Sequence, residues 1–437
     1  MYFNLKKFIN KYFIVISFIG VVSCFAPLFY FSTKFMVNNW AYADALINYS
    51  EGFIRRGLLG EILLFIYKLT EVELSKIYSY LYILVTLTNI SLFILILKNI
   101  DNSKLVFLFL LINPVLLFFP LNDTLGYMRK EMIMLTLMLF HCYICSRFHN
   151  NIIDKNKYKK FLYFVIMPGI IVNTLMHDMQ LFLIPFHFLL SVNVLNKDLQ
   201  LFNLKEYFKF QNLNLSLYLI TLTPILIFLF YPSDIERLEI IAKKLSVIEP
   251  NLWDDPIKYT SNSFFSAVIG ESKFMFSVDK MGSYKHLFQY PFLLFISLFS
   301  IIFIFKFVLK DNIKIYNNHF LFLSLFPIFL LFFIGRDWGR WLSMICWATV
   351  LYYLQFKIKI VGDYFFIFKK KILSNILVLL FAIYYSFFLF LPHCCKDHRT
   401  LLGGFYLNVK LAYELAFKNS SHLDKTFRKH GKGYEPN

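Results

Sequence analysis

The sequence predicts an all-α fold: a polytopic transmembrane helix bundle of about eleven spans, with interfacial helices on its external face. Composition is the first reason. Of 437 residues, 58% are hydrophobic and 20% aromatic, only 16% are charged, and the mean hydropathy is +0.58, far from the usage of soluble domains. The second is that apolar runs of about 20 residues recur, parted by short polar or basic stretches. The third is that runs such as 292–305 are apolar on every face, whereas barrel strands would alternate.

The net charge of +18 does not require nucleic acid. Lysines concentrate in alternate loops, as the positive-inside rule expects, and the proposed inner loops hold roughly twenty of the 45 Lys and Arg residues. The chain therefore reads as one integral membrane domain, 1–437, with a cytoplasmic amino terminus. Abundant Phe, Ile, Leu, Asn and Lys suggests an AT-rich bacterial coding sequence, and hence the inner (cytoplasmic) membrane.

Taken in order, Lys6, Lys7 and Lys11 precede a first span at about 12–31. A first external loop, 32–69, follows and ends in an apolar segment, 58–69, that is too short to cross and suits an interfacial helix. Spans at about 76–97, 105–120 and 132–146 come next, and the loop 147–160, with five basic residues, is the clearest inner one. Two short apolar runs, about 161–176 and 179–195, are separated only by His177 and Asp178.

A seventh span at about 214–231 leads to a longer external loop, 232–286, with helical periodicity until Pro250. Spans at about 287–308, 319–334, 342–356 and 374–392 complete the bundle, and the tail 393–437 falls outside by alternation.

This topology collects charged residues at the outer ends of the spans, where holding them is costly and marks a functional site. The most telling stretch runs from Asn48 to Glu61, just after the first apolar run, in which Glu51, Arg55, Arg56 and Glu61 are spaced by Gly52, Gly57 and Gly60. Arg129 and Glu131, and then Arg336, Asp337 and Arg340, fall on the same side. Guanidinium groups bind phosphate oxygens through a planar fork, so Arg55, Arg56, Arg129, Arg336 and Arg340 are candidates to hold a diphosphate. Asp337, Glu61 and Glu131 are candidates to orient them.

Glycosyl transfer to a hydroxyl needs a base for the acceptor proton and positive charge for the departing phosphate. His177, Asp178, Asp44 and Glu51 are the candidate catalytic groups; each also has a structural reading as a salt-bridge or hydrogen-bond partner. Arginines supplying the positive charge would make a metal or other cofactor unnecessary. No Walker loop, dinucleotide fingerprint, zinc spacing or serine elbow is present in the sequence. Cys24, Cys142, Cys145 and Cys346 lie in or beside apolar runs, as small hydrophobes do.

The aromatic-rich spans, the late external loop and the external arginines resemble Wzy-type O-antigen or polysaccharide repeat-unit polymerases. An acidic residue in the first external loop, Asp44 or Glu51, is also similar to the GT-C class of glycosyltransferases, which take sugars from a polyprenyl-phosphate donor. The polymerase resemblance implies transfer of a growing glycan from undecaprenyl diphosphate onto an incoming lipid-linked repeat unit at the periplasmic face. The partners it implies are that lipid-linked glycan, the bilayer and a chain-length regulator. A transporter of lipid-linked oligosaccharide would need charges along a path through the membrane instead.

Overall fold

The computed structural model describes residues 2–35, 40–98, 100–101, 104–122, 128–195, 234–250, 252, 257, 294–295, 297–298, 301, 318–334, 338–356 and 358–359. The expected spans at 214–231 and 374–392, most of that at 287–308, the tail 393–437 and the residues Arg336 and Asp337 lie outside them. Among the described residues the regular structure is helical apart from one two-residue parallel ladder.

Among the described residues, four helical segments are long and apolar enough to cross a membrane: Tyr12–Tyr30, Leu74–Leu97, Glu131–His149 and Lys155–Met176. We number the described helices in chain order. The first crossing lies in α1 (Tyr2–Phe35). Next come α2 (Trp40–Ala45), α3 (Leu58–Thr70) and the second crossing, α4 (Leu74–Leu97). Beyond these are α5 (Lys104–Leu111), α6 (Phe119–Asn122) and the third crossing, α7 (Glu131–His149). The fourth crossing joins α8 (Lys155–Phe161) to α9 (Met167–Met176) through a π-turn, Leu162–Ile166. Pro168, lacking an N–H and crowding the carbonyl four residues back, accounts for that widened turn.

The shorter α10 (Gln180–Leu195) follows, then α11 (Ile235–Ile248), α12 (Asn318–Ile334) and α13 (Trp338–Leu354). Strand β1 (Ile100–Asp101) pairs in parallel with β2 (Ile358–Lys359), clipping the chain after α4 to the chain after α13. The helical periodicity before Pro250 is realised as α11, whose buried Leu238, Ile241, Ala242 and Leu245 fall on one face.

The segment 105–120, expected as a span, is broken. After α5 the chain turns at Asn113, whose Oδ1 accepts the Val115 amide at 3.0 Å, and Pro114 cannot continue the helix. Among the described helices α7 is central and touches α4, α8, α9, α10 and α13. Large apolar side chains also point outward, in addition to those in the core: Ile19, Phe65, Leu84, Phe164 and Phe322 are all exposed, as a lipid-facing surface requires.

Candidate functional site: a buried ionic network at one end of the bundle

The chain between α2 and α3 is shaped by its own polar groups. Asn48 Oδ1 accepts the Ser50 amide at 2.9 Å, and Glu61 Oε2 accepts the Tyr49 amide at 3.1 Å, which ties the loop to the first turn of α3. Close approach fixes the rest. A Cβ on Gly60 would stand 2.0 Å from the Ile47 carbonyl oxygen, so only glycine lets α3 lie against this loop. Arg56 then takes a left-handed backbone conformation, φ 66°, unusual for a side chain of its size. The result is that Arg55 and Arg56 are turned inward.

There they meet residues from other parts of the chain. Arg56 places Nη2 2.8 Å from Asp178 Oδ1 and Nη1 3.5 Å from Asp44 Oδ1, while Arg55 Nη1 is 3.6 Å from Asp178 Oδ2. Lys130, only 2% exposed, donates to the Asp44 carbonyl at 2.8 Å and lies 3.0 Å from Asp44 Oδ2. Glu131 occupies the first turn of α7, where a carboxylate is favoured by the helix dipole, and pairs with Arg340 from the first turn of α13. Arg340 in turn lies over the Trp341 ring, 5.2 Å from its centre.

His177 joins the two halves. Its Nδ1 is 3.2 Å from Asp178 Oδ1, and its Nε2 is 3.9 Å from Glu131 Oε1. One tautomer accepts the Met179 amide on Nδ1 at 3.0 Å and turns Nε2–H toward Glu131. The other donates Nδ1–H to Asp178 and presents the Nε2 lone pair to the same edge.

Electrostatics hold these groups in defined states. Burial alone would raise the Asp178 carboxyl, but Arg56 and Arg55 outweigh it and keep it well below the usual carboxylate range. Burial opposes ionisation of Asp44 as well, and Lys130 with Arg56 still holds it low. His177 moves the other way: burial and then repulsion from Arg56 push its imidazole below its ordinary 6.5 despite the Asp178 contact. It is therefore a neutral base at neutral pH.

An apolar cleft opens beside the Glu131–Arg340 half. It holds about 480 Å³ of unfilled space, counting the part open to the outside, and Arg129, Glu131 and Arg340 form its polar edge. From Glu131 to Arg147 along α7 is about 24 Å, so the network and the basic 147–160 loop sit at opposite ends of the bundle.

Of the residues singled out in the sequence, Asp44, Arg55, Arg56, Glu131, His177, Asp178 and Arg340 converge here, with Arg129 at the cleft. Two do not. Glu51 pairs with Lys244 of α11 in a more exposed place, and Glu61 serves the loop amide of Tyr49. No protein-family model, curated protein or solved structure matches this chain.

Sequence reasoning missed Lys130, which anchors Asp44; its neighbours Arg129 and Glu131 were the available signal. It also missed a second buried polar chain. His141 and His187 meet Nδ1 to Nδ1 at 3.0 Å, and His141 Nε2 lies 3.0 Å from the Tyr158 hydroxyl, which donates to Ser191 Oγ at 3.2 Å. Two histidines inside apolar runs were its only trace.

Proposed function

We propose that this protein is a membrane-embedded glycosyltransferase acting on isoprenoid-phosphate-linked glycans, and that its reaction is polymerisation of undecaprenyl-diphosphate-linked repeat units at the periplasmic face. One observation carries the reading. Carboxylates, guanidiniums and a neutral histidine from five separate chain segments meet in one buried network at the bundle end opposite a basic loop, with an apolar cleft alongside.

The chemistry follows from the placement. The acceptor sugar's hydroxyl oxygen bonds to the anomeric carbon of the donor glycan as the bond from that carbon to the diphosphate oxygen breaks. The hydroxyl proton passes to His177 Nε2, in the tautomer whose Nδ1–H donates to Asp178. The departing diphosphate carries its negative charge to the Arg129 and Arg340 side of the network, where forked donors in a poorly solvated site stabilise it best.

A second reading is favoured by Asp44. This carboxylate follows α1, in the first external loop, and is held ionised in the network, the place a GT-C enzyme would keep its acidic residue. Such an enzyme adds single sugars from a polyprenyl monophosphate.

A gel profile of surface polysaccharide, from a strain with the gene deleted and then complemented, separates the readings. Collapse of a ladder of chain lengths to core plus one repeat unit is expected of the polymerase. A persisting ladder with altered band spacing supports the single-sugar enzyme, and an unchanged profile counts against both.

A further inference from the structure

The cleft beside Glu131 exists because the segment after α5 is not helical. Asn113 and Pro114 divert the backbone, and the gap left between residues 116–120, α7 and α13 is lined by Leu117, Phe119, Leu135, Met344 and Trp347. It is a shallow groove, open on one side, so a ligand would lie along it instead of being enclosed. Such an apolar wall at a membrane surface fits hydrocarbon. The polar edge is different in kind: the guanidiniums of Arg129 and Arg340 favour an anion, while Glu131 contributes an acceptor.

That acceptor is unusual. Glu131 is nine-tenths buried, its Oε1 is taken by Arg340, and its Oε2 has no hydrogen-bond partner among the described residues. A buried carboxylate oxygen without a donor is costly, and a ligand hydroxyl would relieve it.

We infer that this cleft binds the head-proximal part of an isoprenoid phosphate chain, its phosphate against Arg129 and Arg340 and a hydroxyl of the attached sugar donating to Glu131 Oε2. The inference rests on the reading under Proposed function and deepens it: it assigns a lipid subsite to the α7–α13 side of the network and leaves the Arg55–Arg56–Asp178 side to position His177. Tail and head are then recognised by different chemistry, so a neutral polyprenol of the same length binds more weakly than its phosphate.

The test is photolabelling of the full-length, detergent-solubilised protein with a benzophenone-bearing polyprenyl phosphate, followed by peptide mapping. Labels are expected within 116–120, 132–135 or 344–347, and unlabelled polyprenyl phosphate should compete at least tenfold better than polyprenol. Leu135→Trp, which fills the cleft, should reduce that labelling at least tenfold; if this variant does not fold, the wild-type map decides. Saturable labelling confined elsewhere, for instance to the groove lined by Phe25 and Ile83 between α1 and α4, overturns the cleft assignment but keeps the isoprenoid-phosphate reading. No saturable labelling overturns both.

Discussion

Arg56 and Asp178 are 122 residues apart in the chain and meet at 2.8 Å through Nη2 and Oδ1. Both are largely withdrawn from water, so the contact is worth more when broken than when made. Replacing Asp178 by Asn leaves two guanidiniums without their shared carboxylate and is expected to cost about 3–5 kcal/mol. The double change Asp178→Asn with Arg56→Gln should cost less than the sum of the singles. Thermal unfolding in detergent of the four proteins measures the difference.

The Arg340 fork makes a second expectation. If it stabilises departing phosphate, Arg340→Gln lowers the transfer rate by about 10²–10³-fold, the usual effect of losing one aimed donor. Arg340→Lys keeps the charge but not the planar fork and should recover only part of the loss. Chain-length profiles from strains carrying each variant, at matched protein levels, provide the check.

Acid should weaken the fold in two stages. His177 has a folded value below its ordinary 6.5, so the unfolded chain binds a proton first and stability falls as pH drops from about 6.5 toward that folded value. Asp44 and Asp178 are also depressed; their contribution is complete above about 4 and is lost as pH falls through their folded values. His177→Gln should abolish the first stage and leave the second. Unfolding midpoints between pH 7 and pH 3 would show it.

At Gly60 the demand is steric. A methyl group there must displace the Ile47 backbone, so Gly60→Ala is expected to destabilise by about 1–3 kcal/mol and to loosen the loop carrying Arg55 and Arg56. Thermal unfolding gives the first effect, and faster amide exchange over residues 46–57 the second.

Helix α11 is tethered over the same loop. Glu249, at its end, accepts the Tyr42 hydroxyl at 2.9 Å and the Ser75 amide at 3.3 Å, and Lys244 reaches Glu51. Tyr42→Phe removes one tether, about 0.5–1.5 kcal/mol. Faster proteolysis near α11, with an unchanged rate elsewhere, is the expected sign.

Much of this network was legible because charge is conspicuous among apolar runs. His177 and Asp178, Arg55 and Arg56, and Glu131 and Arg340 each interrupt or end such a run, and each is in the network. Lys130 was harder to read, since a lysine beside an arginine at a span end looks like an ordinary interfacial cation. The break at Asn113–Pro114 was visible as residues but not as a cleft, because the space depends on how α13 packs against α7. Glu51 shows the opposite: its charge is as conspicuous as the others, yet it pairs outside the network with Lys244, on a helix whose position over the loop no local pattern specifies.

The Glu131–Arg340 pair spans 209 residues. A ribosome working at about 5–20 residues per second delivers the arginine about 10–40 s after the glutamate. For that interval the carboxylate must wait near the membrane surface with its final partner still unmade. Assembly of this end of the protein is therefore completed late, and a chain halted before α13 would leave Glu131 with Arg129 and His177 nearby but without its closest partner.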